Sequence, residues 1–207
     1  MNPPPAPSTL SDRARAAFAG LTRRAGESVH RIGIHPDTIT IAGLGVVAIG
    51  ALAVAGGQFQ VGGIVLLLSL PLDALDGAVA RAMARTDRFG AVLDSTLDRY
   101  ADGLIFGAMA YHFAVTDQFT ALALALGSLM GSFVVSYVRA RAGEAGLSVK
   151  IGLFSRFERA ILLLALLLVP PLVMPGLWVL AVGTNITGVQ RLWYVYRHLD
   201  RHTPPEP

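Results

Sequence analysis

The chain is apolar and poor in charge for its length. It has 207 residues, of which 53% are hydrophobic and 15% are charged, whereas a typical soluble domain carries about 25% charged residues. This composition excludes a free globular protein, and it excludes a disordered chain, which combines low hydrophobicity with high net charge. Because the sequence contains no cysteine, disulfide scaffolds, thiolate zinc sites and cysteine nucleophiles are excluded as well.

The N-terminal arm, residues 1–35, precedes the first apolar segment. Residues 1–7 are rich in proline, which predicts a disordered start. Residues 9–32 combine apolar side chains with five arginines, a composition that favours an amphipathic helix on the anionic inner leaflet, with a solvated arm as the alternative. No apolar stretch typical of a signal peptide precedes Pro36, so none is expected.

Three long windows of the sequence lack charge. Residues 38–72 and 160–190 contain no Asp, Glu, Lys or Arg, and residues 103–138 contain only Asp117. A helix needs about 20 apolar residues to cross a bilayer, and each window has a polar or proline-rich break near its middle. Each window therefore predicts a helical hairpin that crosses twice. The predicted all-α membrane domain, residues 36–198, has spans at 38–56, 60–82, 91–115, 119–141, 155–173 and 177–197, followed by a tail at 199–207.

The basic residues give this topology an orientation. All 17 Lys and Arg residues lie outside the three windows, in the arm, in two loops between the hairpins and near the C-terminus. By the positive-inside rule, both termini and both loops face the cytoplasm of a cell (inner) membrane. The membrane topology thus accounts for the net charge of +3 and the pI of 9.7, and no nucleic-acid partner is expected.

Four aspartates lie where the second and third predicted spans meet the cytoplasm. Asp73 and Asp76 are three residues apart, and Asp94 and Asp98 are four apart, so each pair shares a helix face. Antiparallel packing of these two spans brings the pairs together, and such a cluster requires cations. Carboxylate oxygens suit Mg²⁺, Mn²⁺ or Ca²⁺ rather than zinc or copper, and two Mg²⁺ ions can clamp a phosphoryl group. The alternative is a set of helix-end charges paired with nearby arginines.

The neighbours of these aspartates suit a phosphate ligand. Gly77 and Ala80 lie on the aspartate face and leave room for a polyphosphate to approach the backbone. Arg81, one turn beyond Gly77, can reach a phosphate oxygen. The sequence therefore predicts a phosphate-handling metal site at the inner membrane face.

Residues 73–98 resemble the signature of the class I CDP-alcohol phosphotransferase family at every fixed position. The family has six membrane spans and a cytoplasmic-face site, so the resemblance covers most of the chain. It implies transfer of a phosphatidyl group from CDP-diacylglycerol to an alcohol, with release of CMP, in phospholipid biosynthesis. It also suggests a homodimer. The matching positions are Asp73, Asp76, Gly77, Ala80, Arg81, Gly90, Asp94 and Asp98.

The resemblance also implies roles for individual residues. Asp73, Asp76 and Asp94 would bind two divalent ions, and Asp98 would be a further ligand, the general base, or both. For residues 36–38 the alternative is an ordinary helix start capped by Asp37 or Thr38. The implied CDP-lipid-binding residues are His35, Pro36, Asp37, Thr38, Thr40, Gly77, Ala80, Arg81 and Asp87, the last standing where relatives often carry Ser or Thr.

The second cytoplasmic loop favours a phosphorylated acceptor alcohol, because guanidinium groups suit an anionic phosphate. Positive-inside anchoring of the loop is the alternative. Residues 94–99, 136–142, 156–159 and 189–191 resemble bacterial phosphatidylinositol-phosphate synthases, which favours inositol 1-phosphate; glycerol 3-phosphate remains the alternative acceptor. On that similarity the acceptor phosphate is held by Arg139, Arg156, Arg159 and Arg191.

A small ion transporter is the non-enzyme alternative. An ion path needs polar groups through the whole membrane depth, and the outer halves of the spans offer little beyond Asp102 and His112. Asp102 lies two turns past Asp94 and could support the site or pair with Arg99. A purely structural membrane module would not need the aspartate spacing.

Overall fold

A computed structural model describes residue 33 and residues 35–82 and 89–199. For residues 70–78 and 80–82 it describes the backbone but not the side chains. The predicted disordered start, the amphipathic helix at 9–32, Asp87 and all but the first residue of the predicted tail lie outside the described residues.

The described chain is α-helical, as predicted, and no β-strand occurs in residues 35–82 or 89–199. The predicted breaks at 56–58 and 116–118 are confirmed, and at each a residue adopts a positive φ, Gly57 at 79° and Asp117 at 58°. The helices are α1 (Pro36–Ala55), α2 (Phe59–Ala82), α3 (Phe89–Val115), α4 (Phe119–Glu144), α5 (Arg156–Leu168) and α6 (Val173–His198), with a 3₁₀ turn at Pro170–Leu172.

Three described segments are long and apolar enough to cross a bilayer: Pro36–Ala55, Phe119–Glu144 and Pro170–His198. Within α2, the shorter stretch Phe59–Ser69 is also apolar. These segments make the chain a membrane protein, while the six-span topology stays a prediction.

The fifth predicted span, 155–173, is too long at its C-terminal end. α5 stops at Leu168, because Pro170 disfavours the helical conformation at the residue before it and Pro171 lacks an N–H to continue the ladder. Val169 is accordingly extended, with φ −119° and ψ 92°. The 13 residues of α5 reach only about 20 Å, against a hydrocarbon core of about 30 Å. α6 then begins at Val173, before the predicted residue 177.

The chain divides into two compact units. The first contains the described residues up to Val46 together with 68–82 and 89–98, and thus the parts of α2 and α3 that carry the four aspartates. The second contains residues 47–67 and 99–199 and a continuous apolar core, in which Met109, Leu166 and Leu177 are completely buried. The organisation of residues 36–198 as one domain stays a prediction.

Within the second unit, α4 and α6 pack through small residues. Gly127 and Gly131 are four residues apart, the spacing typical of closely packed membrane helices. A methyl group at Gly131 would overlap the hydroxyl of Thr184, which is fully buried and donates to the Leu180 carbonyl. Asn185 Nδ2 donates to the Gly127 carbonyl at 3.0 Å. The two backbones are therefore close enough to hydrogen bond with side chains across the interface.

Gly131→Ala is expected to lower the thermal unfolding temperature by several degrees, because overpacking a close interface costs about 1–3 kcal/mol. Gly127→Ala is the matched control, since its added methyl would lie 3.7 Å from Ala181 Cβ, an ordinary contact. Thermal unfolding in detergent measures both variants. Equal losses in the two would contradict the close approach at Gly131.

Candidate active site

The four predicted metal aspartates lie on two helices of the first unit. Asp73 and Asp76 are one turn apart in the last part of α2, and Asp94 and Asp98 are one turn apart near the start of α3. The predicted helical setting of each pair is confirmed, so the backbone places each pair on one face of its helix. Gly77, Ala80 and Arg81 follow in the last two turns of α2.

Of the four aspartates, only the two on α3 have described side chains. Asp94 is exposed and Asp98 is half-buried, while Thr96 turns its hydroxyl to the Val92 carbonyl at 2.8 Å. Among residues with described side chains, no group of three or more His, Asp or Glu could hold a metal ion; Asp73 and Asp76 lie outside that test. Four carboxylates, all oxygen donors, are a donor set that fits a hard divalent cation.

The predicted nucleotide-contacting residues form the first turn of α1. Pro36 opens the helix, the position where its missing N–H costs nothing. Because His35 precedes the helix, Asp37 and Thr38 lie inside its first turn, and the expectation that one of them caps it is wrong. The Asp37 N–H donates to His35 Nδ1 at 3.4 Å, and Thr40 Oγ1 donates to the Pro36 carbonyl at 3.1 Å. His35 and Thr38 remain exposed, so both are accessible to a ligand.

In the second unit, three of the four predicted acceptor arginines come together. Arg159 on α5 and Arg191 on α6 are buried, with 8% and 4% of their surface exposed. Both Arg159 and Arg139 lie close enough to Arg191 to interact with it electrostatically. Arg156 opens α5 and is exposed. The structure thus concentrates positive charge where α4, α5 and α6 meet.

Arg191 also anchors the segment between α4 and α5. Its Nη1 donates to the Val135 carbonyl of α4 at 3.0 Å, and its Nε donates to the Ile151 carbonyl at 2.9 Å. The Phe154 N–H donates at 3.0 Å to Oγ1 of Thr187, which lies on α6 like Arg191. The loop predicted to bind the acceptor is therefore fixed against α6, and only part of the Arg191 guanidinium remains for a ligand.

Two residues of this region, Ser132 and Gln190, were not predicted from the sequence. Ser132 Oγ donates to Asp102 Oδ2, and the same carboxylate oxygen lies 3.5 Å from Arg159 Nη2. The carbonyl oxygen Oε1 of Gln190, the residue before Arg191, is buried and has no hydrogen-bond partner in the described part of the chain. Ser132 lies four residues after Ser128 on the small-residue face of α4, but that spacing indicates packing rather than a site.

The chain belongs to the CDP-alcohol phosphatidyltransferase family, because residues 33–189 match the model of that family. It is therefore an enzyme of this type, and the predicted family is confirmed over the ion transporter.

Individual proteins similar to this chain have names narrower than the family description. The chain is 38% identical over 199 residues to the phosphatidylinositol phosphate synthase of Mycobacterium tuberculosis strain H37Rv, covering 91% of this chain and 92% of the relative. It is 39% identical over 202 residues to the synthase of the same name from Streptomyces avermitilis, covering 91% and 83%.

Solved structures agree with these relatives. The crystal structure of the Mycobacterium tuberculosis phosphatidylinositol phosphate synthase with CDP-DAG bound has a TM-score of 0.83 at 35% identity, covering 88% of this chain and 98% of that one. The structure of the same synthase with manganese and citrate has a TM-score of 0.82 at 36% identity, covering 90% and 95%.

Proposed function

We propose that this chain is a phosphatidylinositol phosphate synthase that transfers the phosphatidyl group of CDP-diacylglycerol to inositol 1-phosphate and releases CMP. The observation that carries the choice of acceptor is the group of three arginines, Arg139, Arg159 and Arg191, in the second unit. The identity to synthases of that name supports the same choice.

The charge balance of the arginine group favours an acceptor that is itself an anion. Arg159 and Arg191 are buried, and a buried charge is costly unless it is paired. Asp102 pairs with Arg159 in this group. A phosphate monoester carries nearly two negative charges at neutral pH and suits a group of three guanidinium groups, whereas serine, choline and ethanolamine bring no phosphate.

Inositol 1-phosphate also offers hydroxyl groups. Gln190, beside Arg191 in the sequence, keeps a buried acceptor oxygen that lacks a partner within the described chain, and buried acceptors are normally satisfied. A hydroxyl of a polyol acceptor is a suitable donor for it. Arg156, exposed at the start of α5, would add a further guanidinium to the acceptor phosphate.

We assign the metal site to Asp73, Asp76, Asp94 and Asp98, which would hold two Mg²⁺ or Mn²⁺ ions. The relative crystallised in complex with manganese supports a divalent ion. When bound, such ions neutralise the pyrophosphate and stabilise charge on the departing CMP.

The remaining chemistry belongs to side chains of this protein. Asp98 accepts the proton of the acceptor hydroxyl while the hydroxyl oxygen attacks the lipid-linked phosphorus. The new oxygen–phosphorus bond forms as the bond to CMP breaks. The CDP part would be bound by the first turn of α1, the last turns of α2 and residue 87, through the residues His35, Pro36, Asp37, Thr38, Thr40, Gly77, Ala80, Arg81 and Asp87.

The membrane setting follows from the same features. We propose six crossings of the inner membrane with both termini and the site cytoplasmic, residues 9–32 as an interfacial helix, and a homodimer. Large apolar side chains such as Leu52 and Phe157 are 74% and 70% exposed, which suits lipid or a partner rather than water. The fifth crossing would include the 3₁₀ turn at Pro170–Leu172.

Purified enzyme in liposomes with CDP-diacylglycerol and Mg²⁺ is expected to release CMP fastest with inositol 1-phosphate. Glycerol 3-phosphate, the alternative acceptor, and free inositol, which lacks the phosphate, are the comparisons. Chromatographic detection of CMP and of the lipid product measures all three. Turnover with glycerol 3-phosphate alone would overturn the proposed acceptor, and equal rates with free inositol would overturn the role of the arginines.

A further inference from the structure

The carboxylate of Asp102 connects three helices of the second unit. It lies on α3, accepts a hydrogen bond from Ser132 Oγ of α4, and faces Arg159 Nη2 of α5 at 3.5 Å. We infer that Asp102 and Ser132 are positioning residues, which set the orientation of the Arg159 guanidinium toward the phosphate of the acceptor, a role that rests on the proposed function.

Burial makes this contact effective. Arg159 has 9% of its side chain exposed and Asp102 has 27%, and an ion pair shielded from water is screened much less than a surface pair. Ser132 is completely buried, so its hydroxyl holds one oxygen of the carboxylate in place. Asp102 therefore presents a fixed charge to Arg159 from one side.

Because a guanidinium is planar and rigid, the fixed carboxylate of Asp102 sets the orientation of the Arg159 guanidinium. The group is planar and its five N–H donors point in fixed directions, which match the oxygens of a phosphate. With Nη2 directed at Asp102, the plane and the remaining donors are set before the acceptor arrives. Pre-organisation of this kind lowers the cost of binding. This pre-organisation of Arg159 affects binding of the acceptor alone, so the CDP-lipid should bind equally well when Asp102 or Ser132 is substituted.

The test measures Michaelis constants for each substrate in the liposome assay. Asp102→Asn keeps the shape of the side chain but removes its charge, and it is expected to raise the acceptor KM about tenfold, the size of one charge-assisted contact. Ser132→Ala is expected to raise it severalfold. The KM for CDP-diacylglycerol should stay within about twofold in both variants. A merely structural pair would lower the unfolding temperature and leave the ratio of the two KM values unchanged, which would overturn the inference.

Ser128→Ala is the matched control. Ser128 lies one turn before Ser132 on α4, is equally buried, and donates within its own helix, to the Leu124 carbonyl at 2.8 Å. It should leave both KM values unchanged. A rise in the acceptor KM equal to that of Ser132→Ala would show that loss of any buried hydroxyl on α4 suffices, and would overturn the role of Ser132.

Action through Arg159 is tested by combining substitutions. Residues that act through one another give non-additive effects. In an Arg159→Lys background, which keeps the charge without the planar fork, Asp102→Asn should change the acceptor KM by less than about twofold. A further full tenfold rise would overturn the inference.

Failure of the proposed acceptor can be told apart from failure of the positioning role. If the wild type uses glycerol 3-phosphate instead, the same variants measured with that acceptor should show the same KM split, which supports Asp102 while the acceptor assignment falls. If neither acceptor turns over, the rise in unfolding temperature caused by inositol 1-phosphate is measured in wild type and Asp102→Asn. A rise confined to the wild type supports the inference, and no difference between them overturns it.

Discussion

Asp98→Asn is expected to reduce CMP release at least about a thousandfold, because asparagine has the size of aspartate but can neither accept the proton nor offer an anionic oxygen to a cation. General bases contribute about 10²–10⁴ to rates, and loss of a metal-binding charge adds to this. The liposome assay with saturating inositol 1-phosphate measures the effect, and the unfolding temperature and gel-filtration profile establish that the variant is folded.

Asp117→Asn is the matched control for this substitution. Asp117 is exposed in the turn between α3 and α4, with φ 58°, a conformation that asparagine also tolerates. It should keep full activity. Near-normal turnover of Asp98→Asn would refute both the base and the metal-binding role.

Arg191→Ala is expected to raise the acceptor KM more than tenfold while leaving the KM for CDP-diacylglycerol within about twofold. The substitution removes a buried positive charge of the arginine group, and a hydrogen bond to a charged group contributes about 1.5–3 kcal/mol. It also removes the hydrogen bonds from Arg191 to the carbonyls of Val135 and Ile151, so the unfolding temperature should fall by several degrees. Kinetics are therefore measured well below that temperature.

Two further variants separate the charge of Arg191 from its anchoring contacts. Arg191→Lys keeps the charge but cannot donate to both carbonyls with the geometry of a guanidinium, so an intermediate acceptor KM is expected. Arg197→Ala, on the same helix, removes an exposed arginine stacked 4.8 Å from the centre of the Trp193 ring, and should change neither KM. Equal rises in both KM values for Arg191→Ala would count against acceptor binding.

Much of the helical framework follows from the sequence, for physical reasons visible in particular residues. The windows without charge predict where helices lie, and their breaks at Gly57 and Asp117 become turns because both residues adopt a positive φ. The predicted end of α5 was wrong because apolar length favoured continuation to 173, whereas Pro170 ended the helix first. Local backbone chemistry outweighed hydropathy at that point.

The candidate site was predictable to a different degree in each unit. Helical spacing alone places Asp73 beside Asp76 on α2 and Asp94 beside Asp98 on α3, so each of these two pairs can be predicted from the sequence. The contacts of Arg191 with Val135 and Ile151 join residues far apart in the chain, and no local pattern encodes them. The same holds for Asp102, whose partner on α4 is 30 residues away. Composition predicted a basic pocket, but only tertiary packing assigns each arginine its contacts.

The close packing of α4 against α6 has an electrostatic consequence. Because Gly131 has no side chain, α6 approaches α4 closely there, and Arg191 of α6 donates directly to the Val135 carbonyl of α4. Gly131 thereby limits how far the arginines of the two helices stand apart. Side-chain volume at the helix interface and the spacing of the arginines are then linked, so that a methyl group added at Gly131 is expected to alter the spacing of these charges.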